Sequence, residues 1–450
     1  MRLKAALVAL TVSVLLVVGG CADTQPGGNS SYPHADDITL WLVSGSTHPR
    51  MRDYLVQQYA AVNGGVLTIV EKSNAEIMTE LPVALPEVDA SPDVVEIGTT
   101  WFPAVADSFA DISDLYQPLG GSKLLQPFVE IGKIDGQNRT LPYYYGSRYV
   151  FYRKDIWAGA RVTAPPTTLE EFNQAVVTIA EKNPQEISHF SGIYLGSRDW
   201  RNAIAWVFAN GGELAKRQDG AWVATLSDPQ TIEGLTQWQQ LQQTASRPPR
   251  VRRDDSPYIY LNDTDSVHGE NGKSIKTSLS AGAIIAPDSL RRSIGTLKRD
   301  DIGELSRAWD DQVFGVFPLP GVNGKPAPVF VGGANIGIWA KSQHQVGARQ
   351  LLGIIFSGEY QTMLGQNGLP PANSDFFSTL GNDQFASAMI ASAVNSKLPP
   401  AAPGWAAIER SGLLEEFFQQ IADGGDVVAL AGQYDATLTP LLNATSTGIG

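Results

Sequence analysis

The chain has 450 residues, of which 43% are hydrophobic and 18% charged, with 44 glycines and 28 prolines. That length exceeds one ordinary hydrophobic core and that composition excludes a disordered or low-complexity chain, so two globular domains are expected. A formal net charge of −13 opposes the basic surface that nucleic-acid binding requires, so no nucleic-acid partner is expected.

The chain begins MRLKAALVALTVSVLLVVGGCADTQ, with Arg2 and Lys4 ahead of an apolar run from Ala5 to Val18. A charged start, a short apolar run and small residues describe a secretory signal peptide over 1–20, too short to span a bilayer. Val18-Gly19-Gly20-Cys21 resembles the lipobox of bacterial lipoproteins, which implies lipidation of Cys21. Cys21 is the only cysteine, so no intramolecular disulfide can form. Residues 21–37 are small, polar and Pro/Gly-containing, and are read as a flexible tether. The expected location is the extracytoplasmic face of a bacterial cell membrane, anchored by lipid, because an acidic body gains nothing from anionic headgroups.

Ile38 to Val43 (ITLWLV) reads as a first strand, and Ser44-Gly45-Ser46-Thr47 as a loop whose Thr47 caps a helix starting at Pro49. VLTIVEK and SPDVVEIGTT read as the next two strands, each followed by a helix, so the first domain is α/β with a largely parallel sheet. LPYYYGSRYVFYRKD follows, rich in tyrosine. The middle of the chain is more helical: Thr168 and Glu171 form a capping box, SRDWRNAIAWVFANGGEL stops at Gly211-Gly212, and DPQTIEGLTQWQQLQQTA is a further helix. FGVFPLPG and PVFVGGANIGIWA read as strands, and helices follow to the C-terminus, with Trp405 in the loop PPAAPGW.

Chemistry is sparse. No GxSxG, HExxH or GxGxxG motif occurs, and Val267 stands where a phosphate loop ending in Gly272-Lys273-Ser274 would need its first glycine. Five histidines are scattered singly, so no metal site and no cofactor are expected. Asp93 and Glu96 are the one close carboxylate pair weighed for glycoside hydrolysis, and three apart on a strand they face opposite sides. No enzymatic activity is expected.

In order along the chain stand the lipobox, Leu40-Trp41-Leu42, Asp93-Val94-Val95-Glu96, Leu141-Pro142 through Tyr152-Arg153-Lys154-Asp155, Pro165-Pro166-Thr167-Thr168-Leu169-Glu170-Glu171-Phe172, Asn210-Gly211-Gly212, Phe330-Val331-Gly332-Gly333-Ala334-Asn335 and Gly368-Leu369-Pro370-Pro371. This series resembles the bacterial extracytoplasmic solute-binding proteins of the maltose-binding type, family 1, which serve carbohydrate uptake by ABC transporters. The resemblance implies a two-lobe periplasmic-binding-protein fold, with three crossings between lobes and a central ligand cleft. The crossings are placed near Gly146, Gln312 and Asn335. Lobe 1 then comprises 38–146 and 313–334, and lobe 2 comprises 147–312 and 335–445. Two departures stand out: Asp288, Ser289 and Leu290 replace an aromatic region of the family, and Gly146 stands where several relatives carry an acidic ligand residue.

A sugar is held by planar hydrogen-bonding groups and by aromatic rings against its C–H faces. On that chemistry the candidate ligand residues are Ser44, Ser46 and Thr47 after the first strand; Glu71; Thr99, Thr100 and Trp101 after the third strand; Tyr143 and Tyr145, with Tyr144 expected to pack behind them; Arg148; Tyr194, Arg198, Asp199, Trp200 and Asn202; Asp288; Asn335; and Trp405. The implied protein is a monomer that captures a small-molecule carbohydrate, an oligosaccharide or amino sugar, and hands it to ABC transporter permease subunits. Two alternatives remain open: the same receptor binding a glycerophosphodiester or sugar phosphate through Arg148 and Arg198, and a surface glycoside hydrolase.

Overall fold

Ile38–Val43 (β1), Leu67–Lys72 (β2) and Val94–Gly98 (β3) are leucine- and valine-rich runs that pair in parallel with β1 central. The structure is a computed structural model that describes residues 35–86, 88, 91–247, 254–268, 273–299 and 304–444. The expected signal peptide, Cys21 and most of the tether therefore lie outside the described residues. Further along come Leu141–Gly146 (β4), Arg148–Arg153 (β5), Ala283–Pro287 (β6), Phe314–Phe317 (β7) and Gly332–Ile338 (β8). One sheet has the order β2-β1-β3-β8-β4, and a second has the order β6-β5-β7. The expected largely parallel sheet holds for β2-β1-β3. It fails at β8, which runs antiparallel to both β3 and β4 because it returns from the second sheet rather than through a local strand–helix–strand crossover.

Side-chain alternation assigns the two faces of the first sheet. Leu40, Leu42, Val94, Ile336 and Ile338 pack with Met51, Leu55 and Tyr59 of helix Pro49–Asn63 (α1) on one face. Trp41, Val95 and Ile97 pack with Phe102 and Phe109 on the other. Each such fully buried side chain contributes about 1.5–3 kcal/mol. The N-cap of α1 is His48 rather than Thr47: the His48 ring accepts from the Arg50 amide at 3.3 Å, while Thr47 turns inward and is 3% exposed. The capping box of Thr168 and Glu171 forms as read and opens helix Leu169–Lys182 (α2).

The second sheet supports a larger core. It takes in helices Trp200–Ala209 (α3) and Pro229–Thr244 (α4) and the C-terminal segment. Strand pairing redraws the expected lobe limits. β7, expected in lobe 1, pairs with β5 in register Val316 to Phe151. Residues 335–445, expected together in lobe 2, divide: β8 lies in the first sheet, and helices Gln345–Ile355 (α5) and Gly358–Gln366 (α6) pack on α1. Helix Gln384–Val394 (α7) then packs on β7 and β5, and Trp405–Ser411 (α8), Leu413–Ala422 (α9) and Val427–Leu442 (α10) follow it. The chain thus changes sheet at Gly146–Ser147, between Phe317 and Gly332, and between Gln366 and Gln384, rather than near Gln312 and Asn335. A four-residue apolar strand such as FGVF fits either sheet by its pattern, and only pairing decides.

The result is a two-lobe α/β fold with three crossings. Among the described residues no helix is long and apolar enough to cross a membrane.

Candidate ligand-binding site

The crossing segment from β4 to β5 organises the site. Tyr143, Tyr145, Ser147 and Tyr149 are buried, while Tyr144 and Arg148 are half-buried and Gly146 is exposed. The open face therefore carries Tyr144, Gly146 and Arg148, opposite to the expectation that Tyr143 and Tyr145 face the cleft. The phase changes at a β-bulge. Ala334 pairs with Tyr144 and Asn335 with Pro142, which leaves Tyr143 as an extra residue. Tyr143 and Tyr144 consequently sit beside each other, ring centroids 5.1 Å apart. Gly146 pairs with Gly332, and a Cβ on either would meet open space.

At the first-lobe end, the Tyr144 hydroxyl donates to Glu96 Oε1 at 2.7 Å. Ser46 Oγ donates to Glu96 Oε2 at 2.9 Å, and the Val43 amide to the same oxygen at 3.1 Å. Thr47 Oγ1 is 3.5 Å from the Tyr143 hydroxyl, which in turn bonds the Tyr360 hydroxyl at 2.5 Å. Glu71 does not join this cluster directly. It accepts from the Gly45 amide at 3.1 Å and pairs with Arg52, so it ties down the loop that carries Ser46. The Gly45 amide, followed by Arg52, holds the Glu71 carboxyl below its ordinary range.

At the second-lobe end, Arg148 donates to Asn202 Oδ1 at 3.1 Å and lies 3.7 Å from Asp199. Asp199 is also the N-cap of α3, accepting from the Asn202 amide at 3.3 Å and from Asn202 Nδ2 at 2.6 Å. Burial pushes the Asp199 carboxyl up against the pull of Arg148, and burial likewise lowers the Arg148 guanidinium. Asp199, Arg148 and Arg198 line a cavity of about 600 Å³ together with Arg201, Asp254, Asp255 and Glu415. Tyr194 is 3% exposed and stands behind that cavity, donating to Asp254 Oδ1 at 2.6 Å with its ring stacked on Tyr260.

Several expected residues lie elsewhere. Trp200 and Trp405 are 0% and 1% exposed and pack edge to face in the second-lobe core, so Trp405 offers no ring face to a sugar. Asn335 is 0% exposed and donates to Phe128 O and Thr140 Oγ1 beneath the sheet. Asp288 accepts from Tyr149, on the face opposite Arg148, and Tyr145 is 1% exposed. Thr99 and Thr100 are buried, the Thr99 amide donating to Gly333 O. Ser44 is exposed, its amide bonded to Lys72 O. Trp101 is half-buried, with the Arg410 guanidinium 5.6 Å over its ring.

Tyr144, Arg201, Asp254 and Glu415 are candidate site residues that no sequence motif singles out, and Glu96 stands out in the sequence only as a carboxylate paired with Asp93. The Glu96 signal was present, since a carboxylate inside the buried run VVEIG demands a local purpose. Asp93, its former partner in that pairing, bonds Ser342 Oγ and the Thr39 amide instead. A second cavity of about 790 Å³, between α2 and α4, holds none of the expected residues. Among the described residues no cluster of three His, Cys, Asp or Glu could hold a metal.

A family profile described as bacterial extracellular solute-binding protein matches residues 54–390. The chain is 28% identical over 392 residues to the diacetylchitobiose binding protein DasA of Streptomyces coelicolor, covering 86% of this chain and 85% of that protein. Its fold is similar to that of the sugar-binding protein MalE of Xanthomonas citri, with a TM-score of 0.71 at 17% identity over 90% of this chain and 97% of that one. UgpB from Mycobacterium tuberculosis, solved in complex with glycerophosphocholine, gives a TM-score of 0.65 at 16% identity over 91% of this chain and 99% of that one.

Proposed function

The chain belongs to the bacterial extracellular solute-binding proteins, and from that premise we propose that it captures a carbohydrate, an oligosaccharide or amino sugar, and delivers it to the permease of an ABC importer. The observation that carries this reading is the open face Tyr144–Gly146–Arg148. It joins a hydroxyl-and-carboxylate cluster in one lobe to a polar cavity in the other, with no side chain between them at Gly146. Hydroxyls and carboxylates at both ends of that face suit a ligand rich in hydroxyl donors. The diacetylchitobiose binding of the relative from Streptomyces favours the same ligand class. In this reading lipid on Cys21 anchors a monomer at the extracytoplasmic membrane face, and the protein performs no chemistry.

Calorimetric titration of residues 22–450 with diacetylchitobiose, maltose and glycerophosphocholine tests it. Saturable binding of a sugar supports the reading, and failure of every sugar sinks it.

One observation favours a second reading. Arg148 and Arg198 both line the second-lobe cavity, where a phosphodiester could meet two guanidinium groups. Asp199, Asp254, Asp255 and Glu415 line the same cavity and oppose an anion. Binding of glycerophosphocholine alone would select this version.

A further inference from the structure

Glu96 lies on a strand where Val94, Val95 and Ile97 are core, and it is itself 0% exposed. Three donors reach its two oxygens: Tyr144 at Oε1, and Ser46 and the Val43 amide at Oε2. The charged and titratable groups facing it come from four elements. They are Glu71 on β2, itself held by Arg52 of α1; Tyr143 and Tyr144 on β4; and Tyr360 on α6. The residue paired with Glu96 across β8 is the apolar Ile336. Burial pushes the carboxyl up to about 7 against the pull of those hydrogen bonds. Burial raises all three tyrosines as well, so their hydroxyls keep their protons at neutral pH.

A carboxylate only accepts hydrogen bonds, whereas a carboxylic acid must also donate one. With Glu96 ionised, the Ser46 and Tyr144 hydroxyls both spend their protons on it and turn lone pairs outward. With Glu96 protonated, its own O–H needs an acceptor, and one of those hydroxyl oxygens is the acceptor within reach. That hydroxyl then turns its proton outward. One proton on a buried residue thus exchanges an acceptor for a donor on the open face.

We propose that Glu96 is a positioning residue whose protonation state sets which way the Ser46 and Tyr144 hydroxyls present themselves to a ligand, coupling capture of ligand O–H and amide N–H donors to loss of that proton. The proposal rests on the open face being the ligand site. The ligand it fits is a sugar that offers donors at that end, such as the hydroxyls and acetamido N–H of an N-acetylated amino sugar.

Titration with diacetylchitobiose between pH 6 and pH 8 tests the coupling. A group titrating near 7 is about ten parts protonated to one at pH 6, so affinity should fall about tenfold from pH 8 to pH 6. Glu96→Gln keeps a fixed donor, and its affinity should be flat at the low-pH level. Tyr144→Phe removes one hydrogen bond that favours the ionised carboxyl, so the midpoint of its profile should move to higher pH. This variant decides the matter if Glu96→Gln does not fold. A flat wild-type profile, equal slopes in wild type and Glu96→Gln, or an unmoved midpoint in Tyr144→Phe would each overturn the proposal.

If diacetylchitobiose does not bind at any pH, the amino-sugar assignment falls, and the ligand-free protein then decides for Glu96. Its folded carboxyl titrates near 7 against about 4.3 unfolded, so its contribution to stability is full below the unfolded value and is lost as pH rises through 7. The thermal midpoint of the wild type should decline from pH 5 to pH 8 relative to Glu96→Gln. Parallel curves would overturn the proposal.

Discussion

The Arg148 guanidinium stands 3.7 Å from the Asp199 carboxylate, and each side chain is only 16% exposed. Asp199 also caps α3, so the ion pair fixes the start of that helix against the strand that leaves the crossing point. Replacing Arg148 by Met strands a largely buried carboxylate. The expected cost is about 2–3 kcal/mol, below that of a wholly buried pair because both ends keep some water. Asp199→Asn keeps a capping oxygen and should cost about 1 kcal/mol less than Arg148→Met. Urea unfolding of the two variants checks the order, and equal midpoints would show that the pair does not anchor α3.

Tyr145→Phe should be neutral or slightly stabilising, because the Tyr145 hydroxyl is buried with no hydrogen-bond partner. Removing an unsatisfied buried hydroxyl relieves a cost of about 1 kcal/mol. Tyr143→Phe should instead destabilise by about 1 kcal/mol, since its hydroxyl bonds that of Tyr360. The melt of Tyr143→Phe should fall while that of Tyr145→Phe holds or rises, and a shared loss would contradict the placement of Tyr145.

This pair of tyrosines shows how far the sequence was legible. The strand–helix order of the first lobe and the start of α2 follow from pattern, because Leu40, Trp41 and Leu42 must alternate between two cores and Thr168 with Glu171 announces a helix, whereas the lobe limits beyond Gly146 depend on strand pairing. The crowding of Arg198, Asp199 and Asn202 was also visible as polar chemistry at a helix start, whereas the contact of Arg148 with Asp199 comes only from the fold. Which tyrosine faces outward was not, because one inserted residue at Tyr143 reverses every assignment on its near side. Trp405 illustrates a second kind of loss. A tryptophan in a Pro/Gly loop has the same sequence appearance whether its ring meets a ligand or Trp200.

Trp405→Phe therefore separates core from cleft. The Trp405 ring is 1% exposed and its Nε1 is buried without a partner, so phenylalanine removes an orphaned donor while opening a small void. The net cost should be about 1–2 kcal/mol, with ligand affinity kept within about twofold. Calorimetry at a temperature well below the melt distinguishes the two effects. An affinity loss larger than the stability loss would return Trp405 to the ligand site.

Gly146 gives the sharpest test of the open face. It is exposed, its φ is not in the left-handed region, and a Cβ would meet nothing within 4 Å. Leucine should therefore be tolerated by the fold, within about 0.5 kcal/mol as for other surface substitutions. The same leucine would stand between Tyr144 and Arg148 and fill the space a ligand needs, so affinity should fall at least about tenfold, the equivalent of about 1.4 kcal/mol. Gly333→Ala supplies the contrast. Its φ is +147° and a Cβ would come within 2.4 Å of Tyr144 O, a backbone atom that cannot step aside cheaply. That variant should lose stability first and binding only as a consequence. If Gly146→Leu instead binds as well as the wild type, the ligand does not lie along Tyr144, Gly146 and Arg148. If it unfolds like Gly333→Ala, the space beyond Gly146 is part of the fold and not of the site.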